Sequence, residues 1–546
     1  MRRLAPLALI VAVACTSRGG GSCHGEHCGT VVFAAIGQPA TLLPPVTDHF
    51  LDRDIFDQIF LKLADVGPGL NTVGDSGFEP QLADRWTWRD SLTLAFHLDP
   101  RARWQDGRPV TAGDVAFTFA AYSDSVLDAP EHINLAHIAS VAAPDSATAV
   151  FRFRQRYPEM FFDAVYYLRI LPAHLLRSLP LRQWRSAAFG RSPIGDGPYR
   201  FVRWDPGQSL ELEADSTFFL GRPHVRRLIW RFASDLSVAV TQVIAGEADA
   251  IEVLVSPANV ARARQATQLA LYPYPGSAYL FVLLNLRARD GSGPNPILGD
   301  VAVRRALVAA TDRVRMAQSV FGAAAKVPPV PIPEFWAGLW FPDLPVPPYD
   351  TALADRLLEQ RGWRLGSDGV RHRGGRKLAI ALAVPSTSPA RRQYAQLIQE
   401  ELRAVGVEVK LDLMDNVTLE DRVRRGAYDA AIQAWANGPR PSFDLTPMWV
   451  AGGGQNYAHY TNPAFDRWIE AATTARAPAA ALRAWRAALG VLAADAPAIA
   501  LAAPDNVAAI DRRITNVRLR PDSYWAYVRD WRIAPDRLIA RDRLVR

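Results

Sequence analysis

The chain has 546 residues, of which 49% are hydrophobic and 21% charged, and its formal net charge is +7. This length is more than one ordinary domain needs, and the composition predicts a folded, globular body. Arginine supplies nearly all of the positive charge and is interspersed with acidic residues, without a run of like charges. The sequence therefore lacks the dense basic stripe of a nucleic-acid-binding surface, and we expect no nucleic-acid partner.

The first fifteen residues have the pattern of an export signal. Arg2 and Arg3 precede the apolar run 4–14, which is too short to span a bilayer, and small residues come directly before Cys15. The segment resembles a bacterial lipobox, with Ala12 at a position where leucine is usual. We therefore expect residues 1–15 to be a lipoprotein signal that leaves Cys15 acylated and tethers the protein to a membrane. The alternative is an ordinary secretory signal followed by a chance cysteine.

Residues 16–29 are rich in glycine and serine, which predicts a flexible tether. This segment holds Cys23, His24, His27 and Cys28, and two interpretations remain open. One is a disulfide formed in an oxidising compartment, and the other is a metal site. Four ligands so close together in the chain have difficulty reaching tetrahedral geometry, so we expect no metal and no cofactor.

The body of the chain alternates strand and helix patterns. Polar and apolar residues alternate in strands, whereas apolar residues recur every three or four positions in helices. The predicted elements are, in chain order, a strand at 92–98, a helix that begins at Thr111, a strand at 210–214, an apolar strand at 278–286, a helix carrying Arg304 and Arg305, a helix at 394–405, a strand at 407–413, a helix between Thr418 and Gly426, a strand at 428–435, and helices that begin at 463 and cover 482–492. This alternation predicts an α/β fold. We expect Arg304 and Arg305 to be surface or ion-paired residues.

Seven segments, in order, resemble the family 5 extracellular solute-binding proteins of ABC importers. The resemblance covers residues 30 to 515 and is carried by EPQLADRW at 79–86, WQDGRPVTAGDV at 104–115, LPAH at 171–174, GDGPY at 195–199, GEAD at 246–249, VRRALVAATDR at 303–313 and NYAHYTNPAFD at 456–466. The fourth segment has Asp196 where the family has threonine. We interpret these motifs as defining a fold rather than a catalyst.

The resemblance implies an α/β protein of two lobes, like the periplasmic binding proteins of class II, cluster C, with an extra inserted domain. Residues 30–55, 192–283 and 505–546 are expected to form lobe I, residues 56–191 the inserted domain II, and residues 284–504 lobe III. In this family the ligand binds between the lobes, which close by hinge bending.

The function implied by the resemblance is capture of a small solute, a peptide or peptide-like molecule, and its delivery to the permease and ATPase of an ABC importer. We expect a monomer that is not an enzyme and is held on the periplasmic or cell-surface side of a membrane. The alternatives within the same fold are a receptor that reports ligand occupancy to a membrane sensor and a carrier for a metal chelate, a sugar or a signalling molecule.

A secreted hydrolase is the main alternative from another class. The segment GDSG at 74–77 resembles a serine-protease fragment, but it lies in a polar stretch. The sequence has no G-x-S-x-G elbow, no H-E-x-x-H helix and no phosphate-binding P-loop. These absences favour a binding protein.

The best candidate for a ligand contact is Trp435, at the end of a predicted strand. In the peptide-binding relatives a matching tryptophan is followed three residues later by an aspartate that anchors the amino group of the peptide. Here that position is Gly438, and the nearest following acid is Asp444. Simple anchoring of an amine is therefore in question, and Asn437 is a neutral alternative. The other expected ligand-binding residues are Tyr279, Asn285, Asn456 and Tyr457.

Overall fold

The computed structural model describes residues 27–47, 49–254 and 256–543. Its strands are β1 (Thr30–Ile36), β2 (Ala64–Asp65), β3 (Glu79–Pro80), β4 (Ala83–Asp90), β5 (Thr93–Leu98), β6 (Ile138–Ala142), β7 (Thr148–Phe153), β8 (Tyr199–Asp205), β9 (Ser209–Ala214), β10 (Arg227–Ala233), β11 (Ala250–Ile251), β12 (Leu269–Tyr274), β13 (Ala278–Leu284), β14 (Arg364–Leu365), β15 (Arg371–Arg373), β16 (Arg376–Lys377), β17 (Ala379–Pro385), β18 (Glu408–Met414), β19 (Ala430–Ala436), β20 (Ala498–Ala502), β21 (Asn506–Asp511), β22 (Ile514–Thr515) and β23 (Arg532–Ile533).

Helices begin at polar caps or at prolines. In α2 the capping box is formed, with Thr111 and Asp114 bonding each other's backbone N–H. The helices are α1 (Phe50–Ile59), α2 (Ala112–Tyr122), α3 (Met160–Val165), α4 (Ala173–Leu176), α5 (Leu236–Ile244), α6 (Pro257–Gln265), α7 (Val301–Ala309), α8 (Arg313–Phe321), α9 (Thr351–Gln360), α10 (Pro389–Ala404), α11 (Asn416–Arg424), α12 (Pro441–Trp449), α13 (Pro463–Thr474), α14 (Pro478–Asp495) and α15 (Ala540–Arg543). The α/β class expected from the sequence is confirmed.

Three sheets organise the body. The first has seven strands in the order β12-β21-β11-β1-β10-β9-β8, so it joins the beginning, the middle and the end of the described chain. The second is antiparallel, in the order β4-β5-β7-β6, and is built only from residues 83–153. The third has five strands in the order β18-β17-β19-β13-β20, with β17 parallel to both of its neighbours.

The chain passes between the seven-stranded and the five-stranded sheet twice. Strand β12 is followed by β13 in the other sheet, and β20 is followed by β21 in the return direction. The two crossing segments touch, because a Cβ on Gly276 would lie only 2.4 Å from the backbone oxygen of Pro504. Only glycine fits such an approach. We call the body of the seven- and four-stranded sheets the first lobe and the body of the five-stranded sheet the second lobe.

The segment 195–199 packs on the first helix. A Cβ on Gly195 would lie 1.9 Å from the backbone oxygen of Ile59, so a larger residue does not fit. The Asp196 carboxylate accepts a hydrogen bond from the backbone N–H of Leu61 at 2.8 Å, and burial raises its pKa well above the usual range. The segment therefore fastens the four-stranded part of the chain to the start of β8, which is a scaffold role.

The central strand β13 is buried on both faces. Tyr279, Phe281 and Leu283 belong to the large hydrophobic cluster that continues into the first lobe. Leu280 and Leu284 face a second cluster, formed with α7, α8 and α10 on the opposite side of the sheet. A strand buried on both faces is continuously apolar, which explains why this element was predictable from the sequence.

The described N-terminal residues are docked on the first lobe. The His27 ring nitrogen Nδ1 lies 3.0 Å from the backbone oxygen of Pro223, and the His27 ring stacks on His224. Cys28 is buried and disulfide-bonded, so it offers no thiolate to a metal, which favours the disulfide interpretation. The expected signal and lipidation site at Cys15, with Cys23 and His24, lie outside the described residues.

Helix α7 places its two arginines in different environments. Arg305 is exposed, as expected. Arg304 is only 5% exposed and donates to the backbone oxygens of Asp495, Leu298 and Gly299 at 2.8–3.1 Å. The expectation of a surface or ion-paired Arg304 is therefore wrong, because backbone carbonyls hold its guanidinium.

Candidate functional site

Trp435 lies near the carboxyl end of β19, two residues before the chain leaves the five-stranded sheet. Its indole is half-buried, and its Nε1–H donates to Gln433 Oε1 at 3.3 Å. The ring is held by near-perpendicular contacts with Phe281 and Tyr457, whose centroids lie 5.8 Å and 6.4 Å away. Two aromatic neighbours thus fix the indole while part of its surface stays open.

Asn437 and Tyr279 lie beside this tryptophan. Tyr279 pairs with Trp435 in the sheet, is fully buried, and its hydroxyl donates to Asn437 Oδ1 at 3.5 Å. The backbone N–H of Asn437 donates to Ser277 O at 3.3 Å, which ties it to the crossing segment. Both side chains are buried, and Asn437, at 7% exposure, is the less deeply buried of the two.

Two side-chain amides flank Trp435 with a free donor each. Among the described residues, neither Gln433 Nε2 nor Asn437 Nδ2 has a hydrogen-bond partner, although both atoms are buried. A buried amide group without a partner costs about 1–3 kcal/mol. Both donors therefore favour the arrival of an oxygen acceptor next to the indole.

Tyr457 and Asn456 come from the loop that follows α12. Asn456 donates through Nδ2 to the backbone oxygens of Val450 and Tyr460 and accepts from Tyr460 N–H through Oδ1, at 2.7–3.0 Å. Its amide is fully used in holding the loop, and the loop presents the Tyr457 ring to Trp435. Asn456 thus positions a neighbour and offers no free group to a ligand.

Asn285 lies at the other end of β13, away from Trp435. It is fully buried, and its Nδ2 donates to the backbone oxygens of Gly426 and Tyr428 at 2.9 Å and 2.8 Å. Its Oδ1 accepts from the backbone N–H of Arg287. The structure therefore brings Trp435, Asn437, Tyr279 and Tyr457 together and places Asn285 in the frame of the lobe.

An acid lies close to Gly438 in space. Asp444, in the first turn of α12, is half-buried, and burial raises its pKa to about 7, opposed by a hydrogen bond from the backbone N–H of Gly438. The backbone oxygen of Gly438 accepts from Trp336 Nε1 at 2.9 Å. A carboxyl group six positions later in the chain is thus hydrogen-bonded to the residue where the sequence lacks an acid.

Two more buried carboxyl groups with raised pKa values lie on the first lobe, and the sequence alone did not point to them. Glu252 directly follows β11, and burial raises its pKa to about 7. Asp54, on α1, has a pKa raised by burial and then by the charge of Glu252, and it accepts from the backbone N–H of Tyr524 at 2.9 Å. The Tyr524 ring lies between the rings of Phe50 and Tyr274. The position of Glu252 directly after a strand was the sequence signal that could have marked it as a candidate ligand contact.

Comparison with known proteins decides the family. The sequence family described as "Bacterial extracellular solute-binding proteins, family 5 Middle" matches residues 77–457. The chain belongs to this family. The resemblance inferred from the seven motifs and the two-lobed fold are thereby confirmed.

Relatives of this family 5 protein cover nearly all of it. It is 28% identical over 493 residues to Protein XP55 of Streptomyces lividans, covering 89% of this chain and 85% of that protein. It is 24% identical over 517 residues to the oligopeptide-binding protein AppA of Bacillus subtilis, covering 93% and 92%. The solved structure of the ABC transporter substrate-binding protein CtaP of Listeria monocytogenes superposes with a TM-score of 0.80 at 20% identity, covering 93% and 100%.

A buried ion cluster joins the two lobes of this family 5 protein near the tryptophan. Arg440, just before α12, donates through Nε to Glu159 Oε2 at 2.8 Å, and its Nη1 lies 3.1 Å from Asp163 Oδ1. The Tyr157 hydroxyl donates to Asp163 at 2.6 Å, and the Ser442 hydroxyl bonds Glu159. Burial raises the pKa of Asp163 to about 7, against the opposing effect of Arg440. One guanidinium thus contacts two carboxyl groups of the other lobe.

Two features are absent from the described part of this family member. No helix within the described ranges has the length and apolar character needed to cross a membrane. No group of three or more histidine, cysteine, aspartate or glutamate side chains there is arranged to hold a metal ion.

Proposed function

We propose that this family 5 protein captures a peptide or peptide-like solute between its lobes and delivers it to the permease and ATPase of an ABC importer. The observation that carries the proposal is Trp435, an indole with an open surface flanked by two free amide donors at the carboxyl end of β19. Open α/β sheets bind ligands at the carboxyl ends of their strands.

The chemistry of both lobes suits a peptide. Peptide carbonyls are acceptors for the free donors of Gln433 and Asn437, and the indole of Trp435 packs against an apolar side chain or a peptide plane. Burial raises the pKa of the carboxyl groups of Asp444 and Glu252. A ligand's ammonium or guanidinium group would be a favourable partner for either carboxylate. The relative AppA is named for oligopeptide binding, which supports the same class of ligand.

The proposed lobe boundaries and hinge lie where the chain crosses between the two sheets. Residues 275–277 and 503–505 connect the seven-stranded sheet to the five-stranded sheet and are the proposed hinge. Inserted domain II keeps the expected bounds 56–191. For lobe I we propose ending the expected segment 192–283 at residue 274, and for lobe III starting at 278 rather than 284, because β13 pairs with β19 and β20. Closure around a ligand excludes water from the pocket, and no catalytic step is part of this function.

The proposed location is the periplasmic or cell-surface side of a membrane, with a lipid on Cys15 as the anchor and the protein acting as a monomer. The support is the signal pattern of residues 1–15 and membership in an extracellular family. A disulfide on Cys28 suits an oxidising compartment.

The decisive experiment is mass spectrometry of the small molecules released from protein purified in its native host. Recovery of peptides, followed by calorimetric titration with the recovered sequences, supports the proposal. Recovery of a sugar, a chelate or another non-peptide solute, with no heat from synthetic tri-, penta- and nonapeptides, contradicts it.

A second candidate is a carrier or receptor for a non-peptide ligand in the same cleft. Gly438 favours it, because the carboxylate that anchors a peptide amine in the relatives is absent at that position. Under this alternative the two free amide donors bind hydroxyl or carboxylate oxygens of the solute. The same mass spectrometry separates the two candidates.

A further inference from the structure

A groove of about 730 Å³ lies on the second lobe, at the end of β13 that is remote from Trp435. We call it the distal groove. It runs between the hairpin of residues 286–294, the loop of residues 452–461 and helix α7. Trp435 pairs with Tyr279 near the start of β13, whereas Arg287 lies three residues after the strand ends at Leu284. Tyr457 lines the groove and also contacts Trp435, so the distal groove adjoins the proposed peptide site at this residue, while its arginines lie at the opposite end of β13.

The floor of the distal groove contains the buried Arg304. Its Nε and Nη1 donate to backbone oxygens, its Nη2 has no acceptor among the described residues, and the residue lines the groove. Within the described ranges, no carboxylate lies within ion-pair distance of Arg304. By contrast, the comparably buried Arg513 and Arg520 each bond two carboxylates. Burial lowers the pKa of Arg304, against the opposing effect of the nearby charges of Asp495 and Asp300.

The walls of the distal groove add positive charge. Arg287 is exposed there, and the one side-chain bond it makes within the described chain is from Nη2 to Gly291 O at 3.1 Å. Arg424, which is paired with Glu420 at 3.5 Å, also lines the groove, and Asp495 is the acid in the lining. Both Tyr460 and Asn462 donate to the Asp495 carboxylate, each at 2.7 Å. The lining thus has three arginines against one aspartate whose oxygen is already engaged.

We propose that the distal groove is a second binding site, for a small anion that carries a phosphate or carboxylate group, held by Arg304 Nη2 and the Arg287 guanidinium. Guanidinium groups match the planar, two-oxygen geometry of both anions. The fixed position of Arg304 also favours anion binding, because three backbone carbonyls hold its guanidinium group in one orientation before the anion binds. The groove's volume suits a metabolite-sized ligand.

The test is isothermal titration calorimetry of the full-length protein with inorganic phosphate and, separately, with citrate, at constant ionic strength. Arg287→Gln removes one guanidinium that makes a single bond in the fold, so it is expected to leave the melting temperature unchanged. It is expected to weaken anion binding by about tenfold or more, the effect of one charge-assisted hydrogen bond. Arg304→Gln is expected to abolish binding, with its melting temperature recorded in parallel.

Arg305→Gln is the matched control, because it removes the same charge from the next position of α7 on the exposed face. Saturable binding that Arg287→Gln weakens and Arg305→Gln does not supports the site. If only phosphate or only citrate binds, the site is specific for the phosphate or for the carboxylate group, respectively. Absence of saturable heat with both probes overturns the proposal, and so does an equal loss in Arg287→Gln and Arg305→Gln, which indicates diffuse attraction by the net charge.

Discussion

Arg440 and Glu159 form an ion pair across the two lobes, with Nε 2.8 Å from Oε2 although the residues are 281 positions apart in the chain. Glu159 and Asp163 are almost completely buried under this guanidinium. Removing one partner of a buried ion pair costs about 3–5 kcal/mol, because the remaining charge is buried alone. Here the remaining charges regain water if the lobes separate, so the cost falls on closure rather than on folding.

We therefore predict that Arg440→Met shifts the protein towards an open arrangement. Ligand affinity is expected to fall by about a hundredfold or more, since each 1.4 kcal/mol is a factor of about ten. Small-angle scattering with ligand should give a larger radius of gyration than the ligand-bound wild type. Arg486→Met, which removes an exposed ion pair with Asp343, is the control and should change neither quantity. A normal radius and affinity in Arg440→Met would show that the pair is dispensable for closure.

Trp435→Ala is expected to weaken ligand binding by roughly ten- to a hundredfold, the value of an aromatic wall buried against a ligand. The ring is half-exposed in the ligand-free protein, so the melting temperature should stay within a few degrees of the wild type. Trp468→Ala, which truncates an exposed tryptophan on α13, is the matched control for both readouts. If Trp435→Ala lowers the melting temperature strongly and leaves affinity intact, Trp435 is a packing residue.

The fold was predictable where the sequence carries short-range patterns. The apolar run of β13 and the capping box of α2 are local signals, and both elements are confirmed. Helix α12 was missed, since Pro439, Pro441 and Pro447 predict an irregular segment, although a proline at the first turn is compatible with a helix.

The candidate site was predictable only in part, because a sequence does not reveal which polar groups the backbone already occupies. Asn285 has the chemistry of a ligand-binding amide, yet both of its hydrogens go to backbone carbonyls. Arg304 shows the reverse error, because the sequence predicted a surface or ion-paired residue and the structure buries it. Glu252 and Asp54 come from distant segments, and only the folded chain reveals that the charge of Glu252 raises the pKa of Asp54.

The lipid anchor makes a separate prediction, motivated by the apolar run 4–14 before Cys15. Cys15→Ala should move the protein from the membrane fraction to the soluble fraction after cell lysis, because a lipoprotein tether requires the acylated cysteine. Cys23→Ala is the control and should stay with the membranes. Membrane association that survives in Cys15→Ala would rule out this anchor.

The buried carboxyl groups of Glu252 and Asp444 predict how ligand binding depends on pH. Burial raises the pKa of both Glu252 and Asp444 to about 7, so each group is largely neutral at acidic pH and ionised at alkaline pH. An ammonium group binds a carboxylate better than a carboxylic acid. Affinity for a peptide with a free α-amino group is therefore expected to rise from about pH 5.5 to about pH 7.5, below the usual pKa of the amine near 8.

Variants and a blocked peptide locate the group responsible for that dependence. Glu252→Gln and Asp444→Asn each remove one titrating group, and the variant that flattens the pH profile identifies the anchor. The same peptide with an acetylated N-terminus should show a flat profile with the wild type, because its charge is absent. The folded-state pKa of Glu252 lies above its unfolded value, so its contribution to stability is present below about pH 4.5 and is lost as the pH rises towards 7. At pH 8, Glu252→Gln should accordingly increase the free energy of unfolding by on the order of 1 kcal/mol and so raise the melting temperature. At pH 4 it should leave the melting temperature nearly unchanged. If acetylation costs nothing and all pH profiles are flat, the ligand amine is not recognised, and the free donors of Gln433 and Asn437 are then the polar contacts that orient the ligand.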